Sequence, residues 1–440
     1  MSTYFLSSRG AAGSTAVYVA GDETPLEYSE LWSLVGSRAG AWSESGLAAG
    51  DRVLFSPRRD IASIVNLHAL MWLGAIPVLV SPRQFEQLDA CADPTLGLRW
   101  RLDGEGELPE LPLDAASVVA PVSLPLDAQV AVLFSSGSTG APKAIPLTRK
   151  QILASIEQSA SRLELKTTDR WLCVLPLYHI GGLSILLRSA RIGGAVVLMS
   201  GRFSAERSVD LCVTGQVTQV SLVPVQLERM FSSIEKGMLH KDFRFLLVGG
   251  AAMSEQQIQQ ACALELPVVR TWGMTECASQ IATTHLGDVR GLLWPLVETR
   301  VERTESGRLA VHGPIAPDGY FLTQDIGEVD EGIRIQSRAD NVILSGGEKI
   351  SLTRLQAVLA GHPDIVDCIV IARENADWGQ RPHAVLVARS SRVPTNEALF
   401  AYLAEEGFRR REMFDTLSWA EGIPRNEMGK LQWQELQSLL

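Results

Sequence analysis

Residues 134–148, "FSSGSTGAPKAIPLT", combine glycines, hydroxyl side chains and one lysine between two apolar segments. Because glycine permits positive φ and close approach, the backbone N–H groups of such a loop can converge on an anion. Lys143 adds a positive charge. Further donors come from the hydroxyls of Ser135, Ser136, Ser138 and Thr139. This composition indicates a site for phosphate oxygens, although a Gly/Ser segment alone is also typical of a solvated linker.

The loop differs from two well-known catalytic loops. A Walker A loop requires G-x-x-x-x-G-K-[ST] followed directly by a helix, whereas here Pro142 precedes Lys143 and the chain continues as a strand. A G-x-S-x-G nucleophile elbow is also absent from the sequence, because the residue two before Ser138 is Ser136. A P-loop kinase is therefore excluded as an interpretation.

Strand and helix patterns alternate around this loop. A strand is predicted at 130–135, "KAIPLT" continues as a second strand, and Thr148 can cap a following helix. Strand, glycine turn and helix recur at 170–200 and 243–263. This order is typical of α/β folds with mostly parallel sheets. Nearer the N-terminus, a helix is predicted over 28–46, with Gly46 as its C-cap.

The pattern of predicted secondary structure changes after about residue 300. Short antiparallel strands with tight turns are predicted there, followed by a compact α+β pattern from residue 341. We place a domain boundary near Asp340, giving domains 1–339 and 340–440. The predicted fold class is α/β: a large N-terminal domain of mostly parallel sheets plus a β-barrel-like subdomain, with a small mobile α+β C-terminal domain.

Composition excludes several functional classes. The 440 residues carry a net charge of −10, which argues against a nucleic-acid partner. The longest apolar stretch, 67–80, is shorter than the ~18–20 residues of a membrane span and predicts a buried helix running into a strand. The six cysteines include no C-x-x-C pair, and the N-terminus lacks a secretory pattern. We therefore expect a cytoplasmic protein with free thiols and no stable membrane insertion.

Four further motifs follow the loop. In order, they are "RTWGMTECASQ" at 270–280, "TQDIGEV" at 323–329, "SRADNVILSGGEKIS" at 337–351 and "IPRNEMGKL" at 423–431. With this order and spacing, the chain resembles the acyl-adenylate-forming (AMP-binding) enzymes, which include acyl- and aryl-CoA synthetases, adenylation domains of peptide synthetases and beetle luciferases. The resemblance covers nearly the whole chain. It implies ATP, Mg²⁺ and coenzyme A as cofactor and co-substrates.

The resemblance implies which residues bind the nucleotide. They are Ser135, Ser136, Gly137, Ser138, Thr139, Gly140, Lys143, Gly250, Ala251, Trp272, Asp325, Arg338, Gly346 and Gly347. Trp272 replaces the family's usual Tyr and would lie against adenine. Asp325 would accept hydrogen bonds from the ribose hydroxyls, and Arg338 would contact ribose or phosphate. Gln324 and Ser337 stand where the family commonly has glycine.

The resemblance also implies the catalytic residues. Thr275 would reach the α-phosphate, Glu276 would bind Mg²⁺, and Lys430 would bridge the carboxylate and the phosphate during adenylation. His179, in "LPLYHIGGLSILLRS", would gate the acyl pocket. Each of these motifs, taken alone, also has a simpler interpretation. The segment "TWGMTE" is typical of a turn with a capping Thr, and a histidine such as His179 is often a core residue. A Gly-Lys pair near the C-terminus is usually solvated.

A two-step reaction is implied, in which Asp340 is the hinge. The small domain would first carry Lys430 to the site for adenylation. It would then turn about Asp340 and present "SGGEKIS" for thioester formation. On the residues alone, Asp340 is equally a simple turn residue.

Within the family, the short chain and the "GMTECASQ" segment most resemble the 2-succinylbenzoate–CoA ligases. His179, Arg188, Ser184 and Gly273 are the implied acid-binding residues. Arg188 would pair with the second carboxylate of this aromatic acid; the alternative is an arginine on a helix surface. Another aryl- or acyl-CoA ligase, a carrier-loading adenylation domain and a non-enzymatic nucleotide-binding protein also stay open. A non-enzymatic protein would be expected to have lost Lys430 or Glu276, and both residues are present. A homodimer is left open.

Overall fold

The computed structural model describes residues 4–6, 14–20, 25–88, 96–102, 118–136, 142–390, 393–426, 429 and 431–437. The chain divides into two compact units. The first comprises Met1–Met253, Gln257–Arg300 and Val311–Phe321, and the second Ser254–Gln256, Val301–Ala310 and Leu322–Leu440. The domain boundary at Asp340 stays a prediction.

The strands of the first unit form two sheets. They are β1 (Thr15–Val19), β2 (Leu26–Glu27), β3 (Arg52–Phe55), β4 (Ile76–Leu79), β5 (Leu98–Leu102), β6 (Gln129–Ser136), β7 (Pro142–Thr148), β8 (Arg170–Cys173), β9 (Ala195–Leu198), β10 (Gln219–Leu222), β11 (Phe245–Val248), β12 (Val268–Met274), β13 (Ser279–Thr283) and β14 (Trp294–Pro295). In the described part of the chain, the larger sheet has nine strands in the order β14-β13-β12-β11-β10-β8-β9-β1-β2. The smaller has the order β5-β3-β4-β6-β7.

Helices alternate with these strands. They are α1 (Tyr28–Glu44), α2 (Ile61–Leu73), α3 (Pro82–Gln87), α4 (Arg149–Arg162), α5 (Ile180–Ile192), α6 (Ala205–Val213), α7 (Pro224–Phe231) and α8 (Glu255–Ala263). The strands β8, β9, β10, β11 and β12 pair in parallel. Of these strands, β9 and β11 are continuous apolar runs, and β8, β9, β10 and β11 are almost wholly buried, as expected for a parallel sheet covered on both faces.

The hairpin β6–β7 carries residues 137–141 between its strands. Ser135 pairs with Lys143 across the hairpin. Thr148 then begins α4 with a capping box: its Oγ1 accepts from Gln151 N at 3.2 Å, and Gln151 Oε1 accepts from Thr148 N at 3.1 Å. The predicted strands and cap are confirmed. The prediction that α1 ends on Gly46 is confirmed: Gly46 follows the C-cap residue Ser45 with φ +93°, Gly46 N donates to the carbonyl of Ser43 at 3.0 Å, and Leu47 N donates to that of Trp42 at 3.0 Å.

The strands that remain form two smaller sheets. One has the order β15 (Arg300–Arg303), β16 (Arg308–His312), β17 (Tyr320–Val329) and β18 (Ile333–Arg338). The other contains β19 (Val342–Ser345), β20 (Glu348–Ser351), β21 (Ile365–Asn375), β22 (Gly379–Ala388) and β23 (Thr416–Trp419), with β23 on β22.

Three short helices complete the second unit: α9 (Leu352–Ala360), α10 (Asn396–Glu405) and α11 (Trp433–Gln437). Leu355 and Leu359 of α9 share a core with Leu399, Leu403 and Phe414. The α/β fold class, with a large N-terminal part of mixed sheets and a smaller C-terminal part, is confirmed. No helix among the described residues is long and apolar enough to cross a membrane.

Candidate active site

Helix α4 joins two of the predicted nucleotide-binding segments. It starts where the β6–β7 hairpin ends, and its side chains hold the turn after β12. Gln151 Nε2 donates to the carbonyl of Glu276 at 3.0 Å, and Ser155 Oγ donates to that of Ala278 at 2.6 Å. Because Gln151 and Ser155 are four residues apart, they lie on one face of the helix. The turn with Thr275 and Glu276 is therefore anchored to the helix that follows the candidate phosphate loop.

The turn itself adopts an unusual backbone. Thr275–Cys277 is a 3₁₀ turn, and two non-glycine residues follow with positive φ, Ala278 at +53° and Ser279 at +115°. Each such residue costs about 1–3 kcal/mol, and such strain is concentrated at functional sites. At Gly273, an added Cβ would lie 1.8 Å from the carbonyl oxygen of Ser279, so only glycine fits. The sequence therefore places Ser279 tightly against β12.

Glu276 suits the predicted role towards Mg²⁺. Its side chain is half-buried in this turn. Among the residues that the structure describes, no group of three His, Cys, Asp or Glu side chains could hold a metal by itself. Magnesium is usually bound by one or two carboxylates together with substrate phosphates. A single carboxylate beside a phosphate loop fits that pattern, and the role stays a prediction.

Other predicted residues follow neighbouring parallel strands. Gly250 and Ala251 come just after β11 and are exposed, and Trp272 lies near the end of β12 and is 9% exposed. Because β11 and β12 are parallel, their carboxyl ends meet at one edge of the sheet. Ligands of open α/β sheets bind at this edge. The structure thus brings these three residues to the edge where the turn of Thr275 begins.

A row of polar side chains runs along α5. Ser184 and Arg188 are four residues apart, so both face the same side of the helix. Arg188 Nη2 donates to Ser279 Oγ at 3.2 Å, and Ser279 Oγ in turn donates to Ser184 Oγ at 3.5 Å. His179 is the N-cap of α5 and is half-buried, with its ring 4.7 Å from that of Tyr178.

Arg188 is a buried cation. It is 1% exposed, so the alternative of an arginine on a helix surface is wrong. Its guanidinium lies 5.8 Å from the centre of the Trp171 ring, and its Nε has no hydrogen-bond partner among the residues that the structure describes. Within the described ranges it has no ion pair. Burial lowers the pKa of Arg188 to about 9, because the charged form is desolvated.

Ser279 is the residue that sequence reasoning missed. It lies in the quoted segment "GMTECASQ", and its Oγ links Arg188 to Ser184. The four-residue spacing of Ser184 and Arg188 was sufficient to predict that both lie on the same face of a helix. No comparable signal exists for Ser279, because its direction depends on two positive φ angles at non-glycine residues.

In the second unit, three predicted residues lie together. Asp325 and Arg338 are paired across β17 and β18, with Arg338 Nη1 3.4 Å from Asp325 Oδ1. Arg338 also donates to both carboxylate oxygens of Asp340, at 2.9 and 2.8 Å. Gln324 and Ser337 stand in strands without positive φ. These departures from glycine therefore need no special backbone.

Gly346 and Gly347 form the turn between β19 and β20, with φ of +54° and +85°. Gly346 N donates to the carbonyl of Trp378 at 2.9 Å, and an added Cβ at Gly346 would lie 2.4 Å from the Trp378 ring. Lys430, Gly137, Ser138, Thr139 and Gly140 lie outside the described residues, so their predicted roles have no structural account. At Lys143 the side chain is exposed.

Two family models match the chain. The model for the AMP-binding enzyme matches residues 84–321, and the model for the AMP-binding enzyme C-terminal domain matches residues 354–430. The chain is 31% identical to the 2-succinylbenzoate–CoA ligase of Geobacillus kaustophilus, over 94% of this chain and 93% of that protein. It is 27% identical to the ligase of the same name from Listeria innocua, over 97% of both chains.

Solved structures share the fold. The o-succinylbenzoate CoA synthetase of Bacillus subtilis, in complex with its acyl-adenylate intermediate, superposes with a TM-score of 0.83 at 24% identity, over 96% of this chain and 95% of that one. ATP-bound MatB from Rhodopseudomonas palustris gives a TM-score of 0.84 at 20% identity, with the same coverage. At these identities the likeness concerns the fold alone.

Proposed function

This chain belongs to the AMP-binding enzyme family, and we propose that it is an AMP-forming acid–thiol ligase that joins coenzyme A to 2-succinylbenzoate. The products are 2-succinylbenzoyl-CoA, AMP and pyrophosphate. Relatives that carry this activity in their names match over nearly the whole length of the chain. A location in the cytoplasm and a homodimer stay predictions.

The buried Arg188 is the observation that favours this acid. A desolvated cation is costly unless an anion or several acceptors face it. Within the described residues, Arg188 has Ser279 Oγ as its hydrogen-bond acceptor and no carboxylate partner. 2-Succinylbenzoate has a ring carboxylate that does not react, and this group would provide the missing charge. An acid with one carboxylate would leave Arg188 unpaired.

The hydroxyls around Arg188 fit the same ligand. Ser279 and Ser184 lie within hydrogen-bond distance of each other, at 3.5 Å between their Oγ atoms. Both can rotate their protons towards an incoming carboxylate. A guanidinium and two hydroxyls would then share its two oxygens through charge-assisted hydrogen bonds.

In the first half-reaction, the succinyl carboxylate attacks the α-phosphorus of ATP and pyrophosphate leaves. We assign Thr275 to the α-phosphate and Lys430 to the approaching carboxylate and the phosphate, since negative charge develops there. Glu276 would hold Mg²⁺, which neutralises phosphate charge when bound. Asp325 would accept from the ribose hydroxyls, and the loop before Lys143 would surround the leaving pyrophosphate.

In the second half-reaction, the thiolate of coenzyme A attacks the carbonyl carbon of the acyl-adenylate. The bond from that carbon to the phosphate oxygen breaks, and AMP leaves with the electron pair. We assign this step to the turn of Gly346 and Gly347, with Asp340 as the hinge between the two half-reactions. His179 would close the acyl pocket beside the reacting acid.

AMP release over a panel of acids tests the proposal. The informative pair is 2-succinylbenzoate and 4-oxo-4-phenylbutanoate, which lacks only the ring carboxylate. We expect CoA-dependent AMP release with a much higher kcat/KM for 2-succinylbenzoate. Equal kcat/KM for both acids would indicate another aryl- or acyl-CoA ligase. Adenylation without any CoA-dependent thioester would instead indicate an enzyme that loads a carrier protein.

A further inference from the structure

A small cavity lies beside Arg188 in the interior of the first unit. It is lined by parts of α5, β8 and β10, including Arg188, Trp171, Gln219 and Asp169. The volume open to the centre of a water molecule is about 10 Å³. This is close to the space that one water molecule needs.

Two of these side chains carry buried donors without partners. Within the described ranges, Arg188 Nε and Gln219 Nε2 have no hydrogen-bond partner, and both residues are buried, Gln219 completely. The Gln219 amide is fixed at its other end, because its Oε1 accepts from Thr218 Oγ1. Unmatched buried donors are rare in native proteins, and an ordered water molecule or ion is the usual explanation.

The polar groups nearby are already engaged. The Asp169 carboxylate accepts two hydrogen bonds from Arg244 Nη1, at 2.8 and 2.7 Å, and one from Lys166 N at 2.8 Å. The Trp171 indole donates to Ser221 Oγ at 3.0 Å. Asp169 is therefore committed to Arg244, and the described part of the chain supplies no acceptor to the two unmatched donors.

We propose that a single acceptor atom, a water oxygen or a halide ion, occupies this cavity and accepts from both Arg188 Nε and Gln219 Nε2. It fixes the guanidinium plane, so that Nη2 faces Ser279. Gln219 is then a positioning residue for Arg188. The occupant is independent of the substrate, whereas the consequence for the acid rests on the proposed function.

A crystal structure of the protein tests the occupant directly. Crystals are grown in chloride-free buffer, and a second set is soaked in sodium bromide. An oxygen within hydrogen-bond distance of both donors, without anomalous signal, identifies water. A bromide peak at that position identifies a halide site. An empty cavity in both crystals overturns the proposal, whatever the substrate is.

Kinetics of Gln219→Met test the positioning role. This change removes the donor and fills the cavity with an apolar side chain. We expect KM for 2-succinylbenzoate to rise about 3- to 10-fold, the effect of one neutral hydrogen bond, with kcat unchanged and 4-oxo-4-phenylbutanoate unaffected. Gln226→Met is the matched control, because Gln226 is also buried but lies on α7, outside the residues that line the cavity.

The crystal structure tests the occupant of the cavity, and the kinetics test the positioning role of Gln219. An occupied cavity with equal effects of Gln219→Met on both acids would reject the positioning role, while the assignment of Arg188 to the ring carboxylate is tested by changing Arg188 itself. No effect on either acid would also reject the positioning role. Restoration of the wild-type KM ratio by Gln219→Asn, which keeps an amide donor, would support it.

Discussion

Two buried arginines, one in each unit, have opposite surroundings. Arg381, on β22, is 7% exposed and donates to the carbonyls of Arg411 and Met413 at 2.6 and 3.4 Å and to Ser345 Oγ at 3.3 Å. Its Nε also lies 3.8 Å from a carboxylate oxygen of Asp415. Arg188, which is more deeply buried, has one hydroxyl acceptor and an unmatched Nε.

This difference is what we expect if Arg381 stabilises the fold and Arg188 binds a ligand, as we propose. Arg381 joins β22 to Ser345, directly before the Gly346–Gly347 turn, and its own chain supplies the acceptors. Among the residues that the structure describes, Arg188 has one side-chain acceptor, so we expect its burial to lower the free energy of unfolding in the absence of a ligand. The strained backbone at Ser279 adds a further cost at the same place.

The largest expected effect concerns Lys430, a cation that we assign to chemistry rather than to binding. Arg425 anchors the preceding residues through Asp367, at 2.9 and 3.1 Å, and Gly429 has φ +70°. Lys430→Ala should lower the rate of adenylation by about 10²- to 10³-fold, the scale of one preorganised charge. Pyrophosphate exchange measures this step.

Thioester formation from supplied acyl-adenylate should stay near the wild-type rate in Lys430→Ala. Lys241→Ala, which changes an exposed lysine, is the control for the loss of positive charge. Pyrophosphate exchange at the wild-type rate in Lys430→Ala would remove Lys430 from the mechanism.

Stability measurements should separate Arg381 from Arg188. Arg381→Met leaves the carbonyls of Arg411 and Met413 without this donor, so the free energy of unfolding should fall by about 2–4 kcal/mol. Arg188→Met removes a desolvated charge, so the free energy of unfolding at pH 7 should be unchanged or higher. Urea denaturation at pH 7 measures both. Equal losses in the two variants would show that Arg188 is a structural arginine like Arg381.

Substrate kinetics provide the complementary test. Arg188→Ala should raise KM for 2-succinylbenzoate about 10- to 100-fold, the value of a charge-assisted hydrogen bond. KM for 4-oxo-4-phenylbutanoate should change little. Arg191→Ala is the matched control, because Arg191 lies on the same helix and pairs with Glu157 at 3.2 Å. A similar rise for both acids, or none, would reopen the choice of substrate.

The contrast between these arginines could be predicted only in part. The spacing of the motifs and the alternation of strands and helices were sufficient for the fold, and the cap at Thr148 follows from its position before α4. The burial of Arg188 could not be predicted from the sequence. The structure buries every residue from Gly182 to Ala190, polar and apolar alike. A helix covered on all sides has no polar face from which exposure can be inferred.

The pH dependence of KM is the smallest effect and the most specific to Arg188. Burial lowers the pKa of Arg188 to about 9, whereas the unfolded chain keeps the ordinary, higher pKa. The charged form therefore costs stability in full below pH 9. This cost starts to fall as the pH rises through 9 and is gone only above the higher pKa of the unfolded chain. The ring carboxylate needs the charged form, so above pH 9 its binding must be accompanied by proton uptake. KM for 2-succinylbenzoate should rise up to about tenfold per pH unit in this range.

The adenylation step, followed by pyrophosphate release, is the appropriate measurement because the thiol of coenzyme A does not take part in it. The KM ratio of 2-succinylbenzoate to 4-oxo-4-phenylbutanoate cancels the titration of groups that serve both acids. A ratio that is flat from pH 7 to 10 in the wild type would contradict a titration of Arg188 in this range. A ratio that rises in the wild type and is flat in Arg188→Ala would assign the titration to this one guanidinium.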